Sequence, residues 1–113
     1  MVAATEIPEW CVAEALGRPG VWPLTPEEVA ALYAASPISA VANVQCEVLV
    51  VLGASDKRVP PLNGREFVAA LRMMGKRAAC HEYPGEGHAI PGHESNAHVT
   101  VTVASWLAKH CLC

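Results

Sequence analysis

The sequence predicts an α/β chain: part of a doubly wound, parallel-sheet domain that is incomplete on its own. The run Val48-Leu49-Val50-Val51-Leu52 has no polar alternation, so it reads as a strand covered on both faces, which belongs in the middle of a parallel sheet. A helical pattern and a second strand follow it, in the alternating order of such domains. The 113 residues offer only these two strands, whereas a central strand needs a hydrogen-bonded neighbour along each edge.

Residues 1–25 contain Pro8, Pro19 and Pro23 with glycine between them, and predict an irregular packed segment anchored by Trp10 and Trp22. Thr25-Pro26-Glu27-Glu28 is a helix start. Threonine caps, proline suits the first helical position and the acids favour the positive end of the dipole. That helix is expected over about 26–35, where Ser36-Pro37 stops it because a residue before proline avoids helical geometry. A strand is expected over about 47–53. From about 61 to 74 the residues Phe67, Val68, Leu71 and Met74 recur at helical spacing before Gly75, a crossover helix with its stop signal. A second strand is expected over about 77–83, ended by Pro84-Gly85. The last segment is ambiguous, since Val99-Thr100-Val101-Thr102-Val103 alternates like a strand. Val99, Val103, Trp106, Leu107 and His110 share one helical face, and the alternating order favours a helix over about 94–109.

Composition narrows the function classes. Eight Lys and Arg stand against eleven Asp and Glu, with basic residues only in isolated pairs, so no cationic stripe exists for nucleic acid or an anionic membrane surface. The longest strongly apolar run, Val48–Ala54, falls far short of the ~20 residues that cross a bilayer. The N-terminal stretch lacks the basic and leucine-rich regions of a secretory signal, which predicts a cytoplasmic address. Five cysteines at 11, 46, 80, 111 and 113 match no disulfide framework and read as thiols.

No cofactor or metal is expected. His93-Glu-Ser-Asn-Ala-His98 is one residue longer than the zinc motif HExxH, and at this spacing two helical side chains point about 140° apart instead of about 40°. Pro84-Gly-Glu-Gly-His88 is glycine-rich but lacks the dinucleotide-binding order.

The chemistry points to two loops. In open parallel sheets, reactive groups gather beyond the carboxyl ends of the strands. Gly53-Ala-Ser-Asp-Lys-Arg-Val-Pro60 places Asp56 just past the first strand, and Pro84-Gly-Glu-Gly-His-Ala-Ile-Pro91 places His88 just past the second. Taken singly, an aspartate there is more often a turn former and a histidine more often a surface residue. In order, after consecutive parallel strands, both emerge at one edge of the sheet, where they form the orienting half of a Ser-His-Asp relay.

Ile7-Pro-Glu-Trp-Cys-Val-Ala-Glu-Ala15, Ser36-Pro-Ile38, Val50-Val-Leu-Gly-Ala-Ser-Asp-Lys-Arg-Val-Pro60 and Tyr83-Pro-Gly-Glu-Gly-His-Ala89 resemble the C-terminal part of the prolyl oligopeptidase superfamily, serine peptidases of the α/β-hydrolase fold. The first of these segments favours its acylaminoacyl-peptidase branch. The resemblance covers nearly the whole chain and implies that Asp56 is the triad aspartate and His88 the triad histidine, acting on N-acylated peptides. It also implies a nucleophile on a G-x-S-x-G elbow upstream. Ser36, Ser39, Ser55, Ser95 and Ser105 all lie outside such a motif, so the chain alone is expected to be inactive and to need the N-terminal part of the hydrolase domain as its partner. Two alternatives stay open: a non-catalytic binding module using its bare sheet edge, and a fragment of another α/β-hydrolase esterase.

Overall fold

The computed structural model describes residues 8–19 and 22–111. Along the chain lie α1 (Pro8–Leu16), α2 (Pro26–Ala35), a 3-10 helix (Pro37–Asn43), β1 (Val48–Gly53), α3 (Pro61–Met73), β2 (Ala78–Tyr83) and α4 (His93–His110). Ile7 and Cys113 fall outside the described residues.

The N-terminal segment corrects the expectation of irregular structure, because Pro8–Leu16 is helical. Pro8 occupies the first helical position, where its missing N–H has no intrahelical partner to lose, and Pro19 and Pro23 come only after Gly17 has ended the helix at φ +68°. The prolines bracket a helix instead of forbidding one. Its buried residue is Val12, whereas Trp10 and Trp22 are exposed and do not anchor the segment.

The start of α2 is a capping box. The Thr25 hydroxyl accepts the Glu28 N–H at 3.2 Å, and the Glu28 carboxylate accepts the Thr25 N–H at 2.9 Å, which satisfies two helix-terminal donors reciprocally. Arg18 reaches the other carboxylate oxygen at 2.7 Å. The Thr25 N–H and then the Arg18 hydrogen bond, against some opposition from burial, hold the Glu28 carboxyl below its usual range. A carboxyl lowered on folding stabilises fully above its unfolded pKa and loses that effect as pH falls through its folded value. Thermal midpoints of the wild-type chain and Glu28→Gln should therefore differ at pH 7 and converge as the pH drops below about 4. A gap that stays constant to pH 2 would show that the Glu28 charge contributes nothing.

The two strands pair in parallel, with Val48 opposite Ala78 through Gly53 opposite Tyr83, so both end at the same edge. Helix α3 packs across both strands through buried Val68 and Leu71. It stops at Gly75 with the Lys76 N–H returning to the Leu71 carbonyl at 2.9 Å and the Gly75 N–H to that of Arg72 at 2.9 Å, a Schellman ending. Helix α4 runs along β1. Its His110 Nδ1 meets Glu47 Oε2 at 2.7 Å, and Glu47 also pairs with Arg77, so one carboxylate ties the end of α4 to the beginnings of both strands. No residue among the described residues belongs to a helix long and apolar enough to cross a membrane.

The strand expected to be covered on both faces is not. Val48 to Leu52 are only half-buried, and β2 is the sole partner of β1 among the described residues. Helix α4 buries none of its residues. The radius of gyration is 16.0 Å, against about 13 Å for a compact domain of this length. The accessible surface is 7567 Å², where a compact chain of this mass exposes about 6,000 Å². Half-buried Val48 to Leu52 and an α4 without buried residues thus leave apolar surface open that a larger doubly wound sheet would close.

Candidate active site

The parallel register fixes where the two reactive loops begin. Gly53 and Tyr83 are paired Cα partners at the last position of the ladder, and the Ala54 N–H extends the ladder by one bond to the Tyr83 carbonyl at 2.9 Å. Three residues beyond Gly53 stands Asp56, and five beyond Tyr83 stands His88.

Each loop is shaped by its own backbone chemistry. After β1 the chain turns back, with the Asp56 N–H on the Gly53 carbonyl at 3.1 Å. Asp56 Oδ1 then accepts the N–H groups of Arg58 and Val59, each at 2.9 Å. Such side-chain-to-backbone bonding is the reason aspartate favours turns. Here it also fixes the carboxylate plane. After β2 the Glu86 N–H closes a turn on the Tyr83 carbonyl at 3.3 Å. Pro84 suits its second position, and Gly85 at φ +76° supplies the left-handed third position of a type II turn.

The structure brings the two residues together. His88 Nδ1 lies 2.8 Å from Asp56 Oδ2, the oxygen the backbone N–H groups leave over. The Asp56 side chain keeps 11% of its accessibility and that of His88 50%, so the aspartate is enclosed while the imidazole faces outward. Burial pushes the Asp56 carboxyl up, but the Val59 N–H, the His88 ring and the Arg58 N–H together outweigh it and hold the carboxyl below its usual range. Asp56 therefore stands ionised beside an imidazole whose Nδ1 it binds. The arrangement can hold the ring in the tautomer that leaves Nε2 free to take a proton.

The loops also touch through their backbones. The Ser55 N–H donates to the Glu86 carbonyl at 2.8 Å, and a Cβ on Gly53 would collide with the Gly87 and Glu86 carbonyl oxygens. This close approach was not legible in the sequence, where Gly53 reads only as a turn signal. His98 also lies near the end of β2, with Nδ1 2.8 Å from the buried Tyr83 hydroxyl and 3.3 Å from Thr102 Oγ1. Ser55, one residue before Asp56, is the described serine nearest the site along the chain and sits in no elbow. A groove of about 480 Å³ between Ser36–Ile38 and the first half of α3 is lined by neither Asp56 nor His88.

Comparison with known proteins follows the same lines. Residues 19–112 match the family model of the prolyl oligopeptidase family. The acylamino-acid-releasing enzyme of Arabidopsis thaliana is 32% identical over 113 residues, 98% of this chain and 15% of that protein. The human enzyme of that name is 32% identical over 97% of this chain and again 15% of its own length. The chain thus spans about 15% of the length of the curated relatives it matches. Among solved structures, a puromycin-hydrolysing peptidase of Mycobacterium tuberculosis superposes with a TM-score of 0.76 at 22% identity, over 96% of this chain and 16% of that one. The thermophilic esterase Est2 of Thermogutta terrifontis gives 0.62 at 16% identity, over 80% and 38%. These two likenesses concern the fold, a partial α/β-hydrolase domain.

Proposed function

Because the chain belongs to the prolyl oligopeptidase family, we propose that it is the part of a serine peptidase catalytic domain that supplies the proton relay, with Asp56 orienting His88 toward a serine carried elsewhere. The single observation that carries this reading is the 2.8 Å contact of His88 Nδ1 with Asp56 Oδ2, made while Oδ1 is occupied by two backbone N–H groups. His88 Nε2 then takes the proton of the attacking hydroxyl as general base and returns it to the leaving amine as general acid. The relatives named for releasing acylamino acids support an N-acylated peptide as substrate, and the bond cleaved is the amide after the blocked residue. A cytoplasmic setting suits this activity.

The remaining machinery is a nucleophile on a G-x-S-x-G turn and two oxyanion donors, one of them the N–H after that serine. No such motif occurs in these 113 residues, and the half-buried β1 with its bare edge supports completion by further sheet. Alone, the chain is inactive.

The test is transplantation. This chain replaces the matching stretch of the human acylamino-acid-releasing enzyme, and hydrolysis of an N-acetylated amino-acid anilide is compared with that of the same anilide bearing a free amine. We expect cleavage of the acetylated substrate and little of the other. A swapped protein that is folded by circular dichroism yet cleaves neither would end the peptidase reading, and cleavage of simple esters alone would favour the esterase alternative.

A further inference from the structure

We infer that Glu86 is a positioning residue for the relay: its backbone ties the histidine loop to the end of β2 and to the aspartate loop, its carboxylate ties the loop to the start of α4, and together they set the His88 ring on Asp56. The inference rests on the proposed roles of Asp56 and His88. Residues 84–92 connect β2 to α4 and carry a half-exposed imidazole, which Asp56 holds at the single atom Nδ1. Something else must keep the ring in place.

Glu86 makes three contacts that do so. Its N–H closes the turn on Tyr83 at 3.3 Å, and its carbonyl accepts the Ser55 N–H at 2.8 Å, one residue before Asp56 and two before His88. Its carboxylate accepts the Gly92 N–H at 3.2 Å. Gly92 is the N-cap of α4 and has no side chain to cap the helix; the Glu86 carboxylate accepts the N–H of that N-cap residue, the bond an acid at the third helical position makes in a capping box, and stands at the helix start, where negative charge is favoured. A Cβ on Gly92 would strike this carboxylate, and one on Gly53 would strike the Glu86 and Gly87 carbonyls. The aspartate loop is thus packed closely against the Glu86–Gly87 backbone, and the Glu86 carboxylate ties that point to the start of α4, which couples the position of α4 to that of His88.

The test reads the His88 tautomer directly in the ¹⁵N-labelled 113-residue chain, by long-range ¹H–¹⁵N correlation at a pH where its imidazole is neutral, with the same chain in concentrated urea as reference. Wild type should show His88 almost entirely as the Nδ1–H tautomer. Glu86→Ala should raise the Nε2–H population several-fold toward the urea value, while Val68 and Leu71 signals stay in place. Glu86→Gln, whose amide oxygen still accepts the Gly92 N–H, should recover most of the wild-type ratio. An unchanged ratio in Glu86→Ala, or one that changes only together with the core signals, overturns the positioning role. A failure of Glu86→Gln to recover the ratio also overturns it. A wild-type chain whose Val68 and Leu71 signals are those of a folded core, yet whose His88 already shows the urea mixture, overturns instead the Asp56–His88 relay beneath it.

Discussion

Replacing His88 by alanine in the transplanted enzyme is expected to lower kcat by about 10⁶, the scale seen when the histidine is removed from a serine-protease triad. The size of the effect follows from the double use of one atom. Nε2 must remove the proton of the serine hydroxyl, which is a poor nucleophile while protonated, and must then protonate an amine that leaves badly as an anion. Among the described residues near the site, His98 Nδ1 is engaged by the Tyr83 hydroxyl, and Asp56 directs both carboxylate oxygens to partners already named. The Michaelis constant should change little, because the ring contributes to proton transfer and not to holding the acyl group. Burst and steady-state hydrolysis of an N-acetylated anilide by wild type and variant measure both quantities. A loss below tenfold would mean that another group moves the proton and that His88 is only a loop residue.

The fold was legible wherever local chemistry and tertiary packing agree. The capping box of α2, the Schellman stop at Gly75 and the apolar run of β1 are short-range features, and each lies within a residue or so of its expected place. α1 was not legible, because three prolines within 25 residues read as disruption, when in fact Pro8 opens the helix at its first position and Pro19 and Pro23 follow its end. The state of β1 failed for the opposite reason. Its composition records an environment covered on both faces, and the described residues supply one neighbouring strand, one helix packed through Val68 and Leu71, and one helix that buries none of its residues. The sequence of β1 therefore describes the sheet for which it is built, and the half-buried strand shows how much of that sheet these residues provide.

The pairing of Asp56 with His88 was readable because it follows from topology: adjacent parallel strands must deliver their next loops to one edge. The devices that set the distance were not. Glu86 reaches Gly92 across six residues and Ser55 across thirty-one, and the need for glycine at 53 arises from a carbonyl in the other loop. Such contacts have no periodicity and no composition signal, so only the assembled loops reveal them.

Asp56→Asn is expected to lower kcat by about 10⁴, although it removes no atom from the site and only exchanges one. The two carboxylate oxygens do different things, and this asymmetry decides the outcome. Oδ1 accepts the N–H groups of Arg58 and Val59 at 2.9 Å, and an asparagine can keep both bonds only by placing its carbonyl oxygen there. Its amide nitrogen must then stand where Oδ2 stood, 2.8 Å from His88 Nδ1, and it donates where the carboxylate accepted. His88 is driven into the Nε2–H tautomer, whose proton occupies the site that should receive the serine proton. The loop, the fold and substrate binding survive, so the Michaelis constant and the thermal midpoint should stay near wild type while kcat collapses. Part of the activity should return at high pH, where hydroxide can remove the serine proton without help from the ring. Steady-state kinetics from pH 6 to pH 10 on the transplanted pair, alongside the ¹⁵N tautomer signature of His88 in the 113-residue chain, separate this account from simple loss of stability. If kcat falls while His88 keeps the Nδ1–H tautomer, orientation by Asp56 is not the cause; if the tautomer flips and kcat does not fall, His88 Nε2 is not the base.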